Sequence, residues 1–202
     1  MDQGELIMTE HTTGKVLSLN ISKKKGTRKT PVPEGVAMLQ KDFGVAGDAH
    51  AGDWHRQVSL LAQESIDPAK EMGIEANWGD FGENITTEGL DLKALPIGTV
   101  LKIGDTHVQI SQIGKACHTR CAIFYLAGDC IFPREGIFAW VQQPGSIRVG
   151  DTITIESLGD GTCPRTPQEA LEEVKIFHKA LDNEAHMREA TLKDALVEMQ
   201  EA

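Results

Sequence analysis

Residues 77–114 read NWGDFGENITTEGLDLKALPIGTVLKIGDTHVQISQIG, a series of short β-branched runs cut by Gly, Pro and Asp. That punctuation is typical of an all-β barrel or sandwich. Working outward, GKVLSLNI (14–21) alternates apolar with small or polar residues and reads as a first strand. RQVSLLA (56–62) reads as a buried strand, GIFAWVQ (136–142) as another, and IRVGDTITI (147–155) as a strand pair or one bent strand. Two stretches break the pattern. Residues 63–73 place Ile66, Ala69 and Met72 on one helix face, with Gly73 as the stop. After Ser157 the Gly- and β-rich style ends. There Thr166-Pro167-Gln168-Glu169 has the form of a capping box, and Leu171, Val174, Phe177 and Leu181 recur at helical spacing. A second helix is expected over 184–199.

At 202 residues the chain suggests one domain, or one domain with an appendage. The expected division is an N-terminal tail (1–13), a β domain (14–157), and a linker with a helical extension (158–202). No apolar run approaches the roughly 20 residues of a membrane span. The opening residues lack the basic and apolar regions of a secretory signal. With four cysteines and no such signal, a reducing cytoplasm is the expected location. A net charge of −10 argues against broad nucleic-acid binding, which needs a basic face. An anionic ligand would have to meet a local cationic pocket.

Residues 114–151, GKACHTRCAIFYLAGDCIFPREGIFAWVQQPGSIRVGD, supply one. Cys117 stands between Lys115 and Arg120 and beside His118, and positive charge nearby lowers a thiol's pKa. Its thiolate is a candidate nucleophile, metal ligand or carrier of persulfide sulfur; the alternative is a half-buried structural cysteine. Cys117, His118, Cys121 and Cys130 provide enough ligands for zinc, but their spacing is not that of paired zinc knuckles. Cys163 stands alone in the linker.

Further candidates come from other loops. The basic run 22–35 carries Lys23, Lys24, Lys25, Arg28 and Lys29 and is either a solvated turn or a phosphate-facing loop. His50 and His55 flank Asp53 and Trp54 in a glycine-rich loop, as ligands, acid–base groups or turn caps. Arg56 opens a strand and is placed to bind an anion or pair with Glu64, Glu83 or Asn84. Asn84 suits either a turn or a heterocycle edge. Arg134 follows Cys130 as a second anion-binding candidate.

In order and spacing, these pieces resemble a MOSC domain, the domain named for the C-terminal part of molybdenum-cofactor sulfurases, and within it the small stand-alone bacterial type. The resemblance spans about residues 14–156. It rests on GKVLSLNIS with KKKGTRK, FGVAGDAHAG before RQVSLL, GDFGENITTEGLDL, LPIGTVLKIGD, and the cysteine loop leading into IRVGD. It implies a mainly β fold, a closed barrel with short helices, to which this chain adds the C-terminal helical appendage. It also implies one family cysteine at the cofactor or sulfur site, matching Cys117, although Ala116 replaces the proline often found before it.

In relatives that bind molybdenum cofactor, the cysteine ligates the metal and basic residues hold the pterin phosphate. The implied cofactor-binding set here is Lys25, Arg28, Arg56, Asn84, Lys115, His118 and Arg134, with Cys117 as catalytic residue and metal ligand. The implied function is molybdenum-cofactor binding or sulfur carriage. The alternatives are a non-catalytic adaptor in cofactor assembly, or a small reductase of N-hydroxylated compounds served by a separate electron donor. A cysteine desulfurase or cofactor-biosynthesis protein is the implied partner, a homodimer is conceivable, and pyridoxal phosphate binding is associated with the family only as a whole.

Overall fold

Alternating burial along Thr13–Ile21 makes β1 the hub of the molecule, because its inward residues Val16 and Leu19 are buried while Thr13 and Lys15 face solvent. The computed structural model describes residues 13–71, 73–74, 76–117, 125 and 130–183. The strands following β1 are β2 (Thr30–Pro31), β3 (Val36–Gln40), β4 (Gly44–Val45), β5 (Val58–Ala62), β6 (Ile85–Glu88), β7 (Val100–Ile103), β8 (Thr106–Ile113), β9 (Ile137–Gln143), β10 (Gly145–Arg148) and β11 (Thr152–Ser157). One sheet runs β11-β7-β8-β9-β5-β6-β1, and the pairing of β11 with β1 closes it into a seven-stranded barrel. β2 hangs on β1 outside the ring, and β10-β3-β4 form a separate small sheet.

All neighbours in the ring are antiparallel except β5 and β6. A parallel pair needs a crossover, and the helix Gln63–Glu71 belongs to it. It buries Ile66 and Ala69 as the periodicity requires. Gly73, at φ +88°, ends it through its N–H on the Lys70 carbonyl. β5 is buried on both faces. Leu60 joins the barrel interior with Val16, Ile85, Leu101, Val108 and Ile137. Leu61 joins a second core with Ile66, Phe81, Phe132 and Phe138. Each such side chain contributes roughly 1.5–3 kcal/mol by leaving water.

The run 147–155 is neither a hairpin nor one bent strand. β10 pairs with β3 and β11 pairs with β1 and β7, so Val149–Asp151 is the point where the chain changes sheet. Residues 44–55 are loop as expected, save that β4 occupies their start. A helix covers 168–183. The Thr166 hydroxyl, expected as its cap, donates instead to the Ser111 carbonyl at 2.7 Å and so ties the linker to β8. The second expected helix, 184–199, and the tail 1–12 lie outside the described residues.

Candidate functional site

A bulge between Ile110 and Gln112 shifts the register of β8 against β9 just before the cysteine loop. Bulges re-aim side chains, and here Ser111 and Gln112 are both buried and both serve neighbouring loops. Ser111 donates to the His55 carbonyl at 2.5 Å. Gln112 donates its amide to the Gly114 carbonyl at 2.7 Å, and its Oε1 lies 2.9 Å from His55 Nε2. An amide oxygen only accepts, so His55 carries its hydrogen on Nε2. Burial lowers the His55 pKa, the bond to Gln112 opposes this, and Arg56 adds to the lowering. His55 is therefore a neutral donor that fixes a loop.

Arg56 is the best-placed cation. Its guanidinium carbon sits 4.8 Å from the Trp54 ring centre and 5.5 Å from that of Phe138. Burial lowers its pKa, against which the charges of Glu173 and Cys117 pull upward. Its Nε is buried with no hydrogen-bond partner, which costs free energy unless an acceptor reaches it. Cys117 is half-buried. The attraction between Arg56 and Cys117 is mutual, so the arginine favours the thiolate. Lys25 places its ammonium 5.9 Å from the Trp54 ring centre, and Lys115 places its own 5.4 Å from that of Phe132.

Lys29 and Asp48 form an ion pair 2.9 Å long, each side chain 1% exposed. Lys29 was named from the sequence only as part of the basic run and Asp48 not at all, and the pairing of two loops 19 residues apart leaves no local signal. Burial lowers the Lys29 pKa, Asp48 and Glu83 oppose that, and Lys115 adds to it, which places all four groups in one electrostatic neighbourhood. Asp48 also accepts from the Ser22 and His50 N–H groups, with the His50 ring 3.4 Å away. Glu83 is fully buried beside Gly79, whose N–H donates to it at 2.5 Å, and Thr86, whose hydroxyl donates at 3.0 Å. Burial pushes its pKa up to about 7 despite those two donors.

The other expected residues lie elsewhere or have other partners. Arg28 pairs with Asp80 at 3.4 Å. Asn84, 3% exposed, accepts from the Ser59 N–H and hydroxyl and donates to the Asn20 carbonyl, so its carboxamide joins β5 to β1. Arg134 reaches the C-terminal helix and pairs with Asp182 at 2.7 Å. Glu64 accepts from the Gly89 N–H. Asp53 and Asp42 both bind Arg165, which packs on Trp140 and straps the linker to the barrel. Cys163 is buried, with its thiol 3.7 Å from Gln109 Oε1. His118 and Cys121 lie outside the described residues. Among the described residues, no three His, Cys, Asp or Glu side chains are grouped to hold a metal ion.

The arrangement thus offers one half-buried thiol, an arginine with an unmet donor, and two further cations on aromatic rings. A soft metal centre carrying an anionic arm suits that donor set: thiolate for the metal, Arg56, Lys25 and Lys115 for the anion.

Comparison with known proteins gives the family and the fold. A family model described as the MOSC domain matches residues 47–154. The YuaD protein of Bacillus subtilis superposes with a TM-score of 0.61 at 20% identity, covering 73% of this chain and 97% of that one. YiiM of Geobacillus stearothermophilus superposes at 0.58 and 22% identity, covering 82% of each chain. At these identities the likeness is one of fold. No curated protein matches the chain. No helix among the described residues is long and apolar enough to cross a membrane.

Proposed function

Because this chain belongs to the MOSC domain family, which is associated with molybdenum-cofactor-related function, we propose that it binds molybdenum cofactor, with Cys117 as the thiolate ligand. The observation that carries this reading is the buried Arg56 Nε without a partner, on a guanidinium that shares its field with Cys117. When bound, the cofactor supplies a redox-active metal and an anionic pterin phosphate. Arg56, whose guanidinium lies over the Trp54 and Phe138 rings, would donate to that phosphate. Lys25 and Lys115 add charge without rigid geometry. Lys29 stays with Asp48. Cys117 presents its sulfur from the loop that follows β8. In a sulfur-carrier mode the same thiol holds persulfide delivered by a cysteine desulfurase, and the neighbouring cations stabilise the anion.

The test is reconstitution with molybdenum cofactor, read by metal analysis and pterin fluorescence on wild type, Cys117→Ala and Arg56→Gln. The expected result is stoichiometric cofactor on wild type, none on Cys117→Ala, and weakened retention on Arg56→Gln. Equal cofactor on wild type and Cys117→Ala would overturn the reading. The acidic row Glu169, Glu172 and Glu173 on the C-terminal helix favours a second reading, an adaptor in cofactor assembly. That role survives Cys117→Ser and fails on removal of residues 164–202.

A further inference from the structure

The two ends of the segment that carries Cys117 meet at one knot of hydrogen bonds. The Gly114 N–H donates to the Gly136 carbonyl at 2.7 Å, and the Lys115 N–H to the Pro133 carbonyl at 3.0 Å. Gln112 holds the Gly114 carbonyl from the barrel side. The C-terminal helix enters the same knot from outside the matched residues 47–154. His178 Nε2 lies 2.7 Å from the Pro133 carbonyl oxygen. A carbonyl only accepts, so Nε2 carries a hydrogen and Pro133 receives two donors, one from Lys115 and one from His178.

The His178 ring also occupies the space beside Gly114. A Cβ built at that position would stand 2.7 Å from both Cε1 and Nε2 of the ring. Glycine is needed there for its backbone as well, at φ +69°. The helix is seated by more than this contact. Val174 is 6% exposed, and Asp182 takes Arg134 at 2.7 Å. Residues 174, 178 and 182 recur every fourth position on one face of the helix, where His178 meets Pro133 and Asp182 meets Arg134. From the same helix, Glu173 extends its charge to Arg56.

We propose that His178 is a positioning residue for Cys117: its Nε2–H on the Pro133 carbonyl and its ring against Gly114 lock both ends of the cysteine segment. The helical extension is then a working part of the site. This deepens the reading of Cys117 as the functional thiol and rests on it. Without His178, Pro133 keeps Lys115 as its donor among the described residues, Gly114 loses its wall, and the turn from Gly114 to Cys117 is held less firmly.

The test uses the full chain without added cofactor. Alkylation of Cys117 by iodoacetamide is followed at fixed pH by peptide-resolved mass spectrometry, with buried Cys163 as an internal reference and the thermal midpoint recorded alongside. His178→Ala is expected to speed Cys117 alkylation about fivefold, the worth of one hydrogen bond. His178→Gln keeps an N–H donor and is expected to stay within about twofold of wild type. An unchanged or slower rate in His178→Ala overturns the proposal, and so does a His178→Gln variant as fast as the alanine one. Should His178→Ala unfold, the glutamine variant decides alone by the same twofold criterion. Because the readout is a thiol rate on cofactor-free protein, its failure leaves the comparison of cofactor on wild type and Cys117→Ala intact, and the reverse also holds.

Discussion

Lys29 and Asp48 lie 2.9 Å apart with 1% of each side chain exposed, and they join the basic loop after β1 to the glycine-rich loop before β5. Burial alone would raise the Asp48 pKa, but the His50 and Lys29 bonds overcome it and hold the carboxyl well below the usual carboxylate range. The pair binds those two loops together. Removing one partner leaves the other charged and buried.

Asp48→Asn is therefore expected to cost about 3–5 kcal/mol in urea unfolding. Replacing both members, Lys29→Met with Asp48→Leu, is expected to recover most of that loss. The sign with pH follows from the depressed carboxyl. Its stabilisation is fully present above the unfolded value of about 4 and is lost as pH falls through the folded one. A single asparagine variant as stable as wild type would show that the pair does not hold these loops together.

Glu83 predicts the opposite slope. Burial, offset in part by Gly79 and Thr86, raises its pKa to about 7. The folded state thus holds a proton that the unfolded chain releases at about 4.3. Its contribution is greatest below the unfolded value and declines as pH rises to about 7, by on the order of 3 kcal/mol. Glu83→Gln removes the titration, so its stability relative to wild type should improve from pH 4.5 to about pH 7 and then level off. A gap between the two proteins that stays constant with pH refutes the protonated carboxyl.

Arg56 separates charge from geometry. Lysine keeps the charge but supplies neither the planar guanidinium over Trp54 and Phe138 nor the buried Nε donor. Arg56→Lys is expected to weaken cofactor binding about tenfold or more, the worth of a charge-assisted hydrogen bond. Trp54 fluorescence during titration provides the measurement.

Gly114→Ala brings a Cβ against the Pro133 carbonyl oxygen and the His178 ring at a positive φ. A loss of about 1–3 kcal/mol in thermal or urea unfolding is expected from the backbone conformation. Combining it with His178→Ala should relieve the ring contact but not the strain at φ +69°, so recovery is expected to be partial.

Much of this molecule was written in local pattern. Alternation marked β1 and the buried run marked β5, while glycines and prolines cut 77–114 into strands that close a barrel. Gly73 stopped its helix where expected. The cysteine loop was visible because thiol and cations are close in the chain itself. Such features depend on neighbours within a few residues, and a sequence records neighbours directly.

What only the tertiary structure decided is which distant groups meet. Closure of the ring brings Asp48 to Lys29, leaves Arg56 with an unmet donor beside Cys117, and binds the carboxamide of Asn84 between strands. Docking of the C-terminal helix takes Arg134 for Asp182 and brings His178 to the Cys117 segment. Strand pairing divides 147–155 between two sheets, because β10 and β11 find partners in strands far earlier in the chain. These outcomes follow from burial and pairing across long sequence separations, where each charged group takes the partner that the closed barrel offers it and local propensity carries no record of the choice.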